Sequence, residues 1–162
     1  MPTPAIRWAA NFDPAHAAVH VRNELTMAAP AAAVWDVLIR AADWPAFYAN
    51  ARNIQIEGGE AELFAGARFT WTTFGVRLQS VVEEFAPMER IAWSARAFGV
   101  HAWHAWLITP AEGGCLVITE ETQHGLLARA NRLVFPRRMG DWHQRWLEGL
   151  RARATKGPSP PS

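Results

Sequence analysis

The chain has 162 residues, half of them hydrophobic and 19% charged, with a net charge of +1 and one cysteine. That length suits one domain with a sizeable core, and Cys115 alone excludes an internal disulfide or a multi-thiolate zinc site. No apolar run reaches the roughly eighteen residues that cross a bilayer, and the opening MPTPAIRWAANFDPAHAA lacks the apolar centre of a secretory signal, so a cytoplasmic protein is expected.

Charge is unevenly spread. Residues 125–156 hold eight basic side chains against Asp141 and Glu148, a net +6, whereas the first 124 carry eight basic and thirteen acidic groups, a net −5. A solvated helix face accounts for this, and an anionic lipid surface is the sharper alternative. No nucleic-acid motif accompanies the charge.

In chain order, residues 1–18 read as an extension. VHVRNELTM (19–27) alternates Val19, Val21, Leu25 and Met27 with polar neighbours, the pattern of a half-buried strand. AAPAAAVWDVLIRA places Pro30 in a first helical turn, where its missing N–H costs nothing. Val34, Trp35, Leu38 and Ile39 then make a helical stripe. DWPAFY (43–48) predicts a second short helix capped by Asp43.

Strands follow near 52–57, 66–74, 76–85, 90–97, 101–109 and 115–123, punctuated by glycine and proline turns, so they pair antiparallel. After Gly125 the period turns helical. Met139, Trp142 or His143, Trp146, Leu147 and Leu150 share a face, seven arginines crowd the rest, and Pro136 either starts or kinks the helix. TKGPSPPS (155–162) is a disordered tail by composition. The result is an α+β fold with a domain at 19–154. A curved seven-stranded antiparallel sheet wraps a long C-terminal helix, two short helices follow the first strand, and the space between sheet and helix is a candidate pocket.

This order, with APAAAVWDVL (29–38), DWPAF (43–47), EFAPMERIAW (84–93), HAWLITPAEGG (104–114), TEETQHG (119–125) and WLEGLRARA (146–154), resembles the START/SRPBCC superfamily. The resemblance implies the helix-grip fold and a hydrophobic cavity for a lipid- or polyketide-like molecule. It does not imply one reaction. Where the family usually has threonine after the Gly-Gly of the last hairpin, this chain has Cys115, expected as a small packed side chain.

HAWHAW (101–106) repeats with period three, and strand faces alternate with period two. His101 and Trp103 therefore face one way and His104 and Trp106 the other, so the two histidines do not chelate one metal. Alternation turns Phe69, Trp71, Ser80 and Trp93 inward. The resemblance adds His104 and Trp106 to that side. A four-residue AEGG loop pairs Pro110 with Cys115 and puts Glu121 opposite His104; a five-residue loop puts Glu120 there. The first register keeps Thr119 and Glu121 inward and is preferred.

Phe69, Trp71, Ser80, Trp93, His104 and Trp106, with Thr119, Glu121 and Trp146, are the candidate ligand-binding residues. The tryptophans either line a cavity or fill it. His104 and Glu121 form a satisfied cross-strand pair, orient a ligand, or act as an acid–base dyad. His143 is expected at the surface or in helix packing, with the cavity within reach. Trp103, turned outward, needs a cover: the extension with Trp8 and Phe12, or a second subunit.

The leading expectation is a carrier or sensor of a hydrophobic or aromatic small molecule, with no cofactor or metal. The alternatives are a cyclase/dehydratase-type enzyme using His104 and Glu121, and a co-chaperone-like interaction module. A homodimer, and membrane-surface contact through the Arg-rich C-terminal helix, are further expectations.

Overall fold

A computed structural model describes residues 5–156. Strand β1 (Val19–Met27) leads into helix α1 (Ala31–Ile39) and a 3-10 turn at Ala41–Ala46. Six strands follow: β2 (Arg52–Ile56), β3 (Arg68–Thr73), β4 (Val76–Ala86), β5 (Arg90–Ala97), β6 (Val100–Ala111) and β7 (Gly114–His124). Helices α2 (Leu126–Val134) and α3 (Arg138–Thr155) complete the chain. The strands form one antiparallel sheet in the order β1-β7-β6-β5-β4-β3-β2. This is the helix-grip arrangement that the order of elements predicts.

Alternation in β1 is real: Val19 and Met27 are buried, and the odd row turns toward α3, where Asn23 Nδ2 donates to the Gly140 carbonyl and to Gln144 Oε1. The even row faces out. There Glu120 accepts from Arg22 and lies 2.8 Å from His20 Nε2. Helix α1 begins directly after Pro30 and buries Val34, Trp35 and Leu38.

Two local expectations are corrected, at the second short helix and at Thr155, and the one at Pro136 is met. The second short helix is a 3-10 turn, because Pro45 removes a donor within it, and Asp43 makes no side-chain cap. The long C-terminal helix starts just after Pro136, as expected, with a separate short helix before it, because the fixed ring and missing N–H end the first ladder. Thr155, placed by composition in the tail, is the last residue of α3, and its hydroxyl donates to the Arg151 carbonyl. Lys156 caps α3, and residues 157–162, the rest of that tail, lie outside the described residues.

Residues 5–18 form no regular element but run across the outer face of the sheet. Ile6, Trp8, Ala9 and Phe12 pack on Ala92, Trp103 and Ala105. Phe12 stacks on Trp103 with ring centroids 5.8 Å apart, and Trp103 is left 7% exposed. Polar latches hold the strap: Thr122 Oγ1 donates to the Phe12 carbonyl, and Arg90 Nη1 to that of Ala5. The chain's own extension supplies the cover that the outward tryptophan requires.

Candidate functional site

Between the sheet and α3 lies an aromatic cluster. Trp44 meets Trp71, Trp93 and Trp146 at 5.0–5.6 Å between ring centroids, Trp106 meets Trp146 at 5.0 Å, and Tyr48 stacks flat on Trp146 at 4.3 Å. The tryptophans thus fill most of the space under α3. A cavity of about 60 Å³ survives where β5–β7, α2 and the start of α3 converge. At 10–15 Å³ per water, that is room for roughly four to six waters and far below the 300–1,000 Å³ of ordinary ligand pockets.

Five expected site residues reach this cavity: Trp71, Trp93, His104, Glu121 and Trp146. Four sit in the packing away from it. Phe69 and Trp106 belong to the core cluster, Ser80 accepts the Trp71 indole N–H, and Thr119 bonds His104 Nε2 at 2.8 Å. Ala95, Ala102 and Tyr48 also line the cavity. Alternation puts Ala95 on the inward row with Trp93, while Ala102 lies on a strand where alternation alone does not decide the face. Tyr48 lay on a turn whose orientation no periodicity sets.

The inner wall is a buried polar cluster. The observed register pairs Pro110 with Cys115 and His104 with Glu121, as the four-residue loop count requires. Glu121 Oε2 lies 3.2 Å from His104 Nδ1 and 3.2 Å from His143 Nε2, and its Oε1 accepts from Gln123 Nε2 at 2.6 Å. His143 is the residue that sequence reasoning underplaced. It is fully buried on α3, three residues before Trp146 and so on the same helical face. That spacing was the available signal.

The electrostatics follow from burial. Desolvation pushes His104 down to about 3, with Glu121 pulling it up and His143 adding to the fall. Burial alone would raise Glu121, but the histidines and the Gln123 amide outweigh it and hold the carboxyl below its usual range. Near neutral pH the cluster therefore holds a carboxylate beside a neutral His104 imidazole. A proton on Nδ1, facing the carboxylate, leaves Nε2 to accept the Thr119 hydroxyl proton. Both ring nitrogens of His104 are then engaged. His143 differs: its Nδ1 is buried with no partner among the described residues. Burial raises the Tyr48 phenol well above its usual range, so it keeps its proton.

His104, Glu121 and His143 are also the set that could hold a metal, with donor atoms all within 4.8 Å of one another. The two imidazoles stack at 4.8 Å with planes 24° apart, and both present a nitrogen 3.2 Å from the same carboxylate oxygen, Glu121 Oε2. Cys115 is fully buried, and burial pushes its thiol up, as suits a packed side chain.

In sequence, no curated protein matches the chain. Among solved structures it is similar to the hypothetical protein jhp0584 from Helicobacter pylori, at 30% identity and a TM-score of 0.88, covering 95% of this chain and 98% of that one. TTHA0849 from Thermus thermophilus shares the fold at 18% identity and a TM-score of 0.72, covering 87% of this chain and all of that one. The di-domain ARO/CYC StfQ of the steffimycin biosynthetic pathway does so at 16% and 0.69, covering 85% of this chain and 51% of StfQ. Residues 18–155 match the family described as polyketide cyclase / dehydrase and lipid transport. With that match over most of its length, on a helix-grip fold, the chain belongs to this family of the START/SRPBCC superfamily.

Proposed function

We propose that this protein binds a hydrophobic or aromatic small molecule with a polar end, taken up between the sheet, α2 and α3 without covalent change. The observation that carries the reading is the contrast within one cavity. Its walls are tryptophan, alanine and valine, and its floor is the Glu121 carboxylate with two histidines. An apolar site with a few fixed polar groups orients a ligand by its polar end. Membership of a cyclase and lipid-transport family supports the same class of ligand.

His104 is poorly suited to general base catalysis. An efficient base titrates near working pH, and desolvation holds His104 far below that, with Nε2 bonded to Thr119 and Nδ1 3.2 Å from the Glu121 carboxylate. A cyclase/dehydratase-type reaction is the second reading, favoured by the unpartnered Nδ1 of His143 beside Glu121. In that case His143 and Glu121 carry the proton transfer and His104 positions the carboxylate.

Native mass spectrometry of gently purified protein is expected to show a co-purified small molecule. Quenching of tryptophan fluorescence by 1,8-dihydroxyanthraquinone supplies a direct probe. Ala95→Leu, which fills the cavity from β5, is expected to abolish both signals while circular dichroism stays unchanged. Equal quenching of wild type and Ala95→Leu would place binding elsewhere and end this reading. Conversion of a bound ligand by wild type but not by His143→Gln would establish the enzymatic alternative.

A further inference from the structure

Helix α2 is amphipathic the wrong way round. Its apolar side chains point to solvent: Leu126 is 84% exposed, Leu133 82% and Val134 66%. At 100° per residue these three, with Ala130, fall on one stripe. The opposite side, Ala128 and Asn131, is the side that lines the cavity. Phe98, 97% exposed in the β5–β6 turn, extends the stripe. It is held beside α2 because Leu127 N–H donates to the Gly99 carbonyl at 3.1 Å. The approach there is close: Gly125 has φ +113, and a Cβ on it would strike the Gly99 carbonyl.

The charge around this stripe has one sign. No acidic residue lies between Glu121 and Asp141, while Arg129, Arg132 and Arg137 are exposed. Arg138 stacks over Phe74 and Phe135. A second copy of the chain fits poorly, because a two-fold contact sets the patch against itself and faces arginine with arginine. Apolar side chains flanked by Arg129 and followed by Arg137 match an anionic bilayer: the former enter the acyl boundary, the latter meet phosphates.

We propose that α2 and the Phe98 turn form a docking surface for an anionic membrane. The sequence pointed to the Arg-rich last helix for such contact; the exposed apolar side chains instead belong to the short helix before it. Docking stands on the outward stripe alone. A consequence rests on the proposed ligand binding: since α2 also walls a cavity too small for a ligand, uptake requires it to move.

Co-sedimentation of the full chain tests this with vesicles of phosphatidylcholine plus phosphatidylserine, against phosphatidylcholine alone. Binding is expected to the anionic vesicles only, and to weaken with salt. Arg129→Gln with Arg137→Gln is expected to lower affinity roughly 25-fold, at about fivefold per surface arginine. Leu133→Glu with Val134→Glu is expected to abolish binding while circular dichroism stays unchanged. No binding by wild type, or equal binding to both vesicles, overturns the proposal. So does a wild-type dimer in light scattering that the Leu133→Glu, Val134→Glu variant makes monomeric. Vesicle binding that persists in Ala95→Leu separates the two readings, since only the ligand site is filled there.

Discussion

The two halves of HAWHAW carry the same three residues and live in different surroundings. The second copy faces inward: His104 is boxed by Trp93, Trp106, Trp146 and His143 at 4.8–5.4 Å between centroids, with a carboxylate in contact. The first faces outward: His101 is exposed, and Trp103 is covered only by the strap of residues 5–18. One copy is locked by the whole fold and the other by a detachable piece of chain. Identical residue types therefore carry different weight, because burial and partners set the energy, not identity.

The largest expected difference is in packing. Trp106→Ala is expected to cost about 3–5 kcal/mol, since the ring is enclosed on every side and its space cannot collapse. Trp103→Ala is expected to cost about 2 kcal/mol, nearer the transfer value, because the strap can settle into the gap. Denaturant titration measures both. Equal losses would erase the distinction between the faces.

Acid separates the copies next. An unfolded imidazole holds its proton below about 6.5, whereas His104 in the fold takes one only near 3. Between those values the unfolded chain binds more protons, so stability falls as pH drops through that window. Glu121, also lowered, adds loss in the same direction below its unfolded value of about 4.5. The melting temperature is expected to fall from pH 6.5 downward, less steeply in His104→Gln. His101→Gln serves as the outward control and is expected to follow wild type.

Removing the strap sharpens the comparison further. A chain starting at residue 18 is expected to show red-shifted tryptophan emission and a loss of about 2 kcal/mol. Combining the deletion with Trp103→Ala should cost less than the sum, because both remove one contact. Additive losses would mean that the strap acts elsewhere. The smallest effect belongs to the latch: Thr122→Ala removes the hydroxyl bonded to the Phe12 carbonyl and is expected to cost about 1 kcal/mol in the same titration.

Much of this was readable in advance, for specific reasons. Period two is rigid, so the opposite fates of the HAW copies followed from counting, as did Glu121 opposite His104 once the hairpin loop was assigned. His143 was less readable because Trp142 and His143 are adjacent on a helix and either suits a stripe of that width. Packing resolves it: Trp146 enters the aromatic cluster, and Asn23 bonds Gln144 from β1, which turns His143 inward. Phe69, Ser80, Trp106 and Thr119 were assigned to the inner side, where they are, but facing inward did not mean reaching the cavity. Alternation gives direction and says nothing of what another ring has already filled.

By itself, then, the sequence determined the strands, a preferred β6–β7 register and the opposite faces of the two HAW copies, because those depend on neighbours two residues apart and on loop length; the resemblance supplied which copy faces inward. Tertiary structure alone decided how much space the tryptophans leave and that Glu121 is shared by two histidines. It also decided that α2 shows its apolar stripe to solvent. Those features depend on how distant elements meet: the rotation of α3 over the sheet, the break at Pro136, and the Gly99–Gly125 approach that sets α2 on its edge.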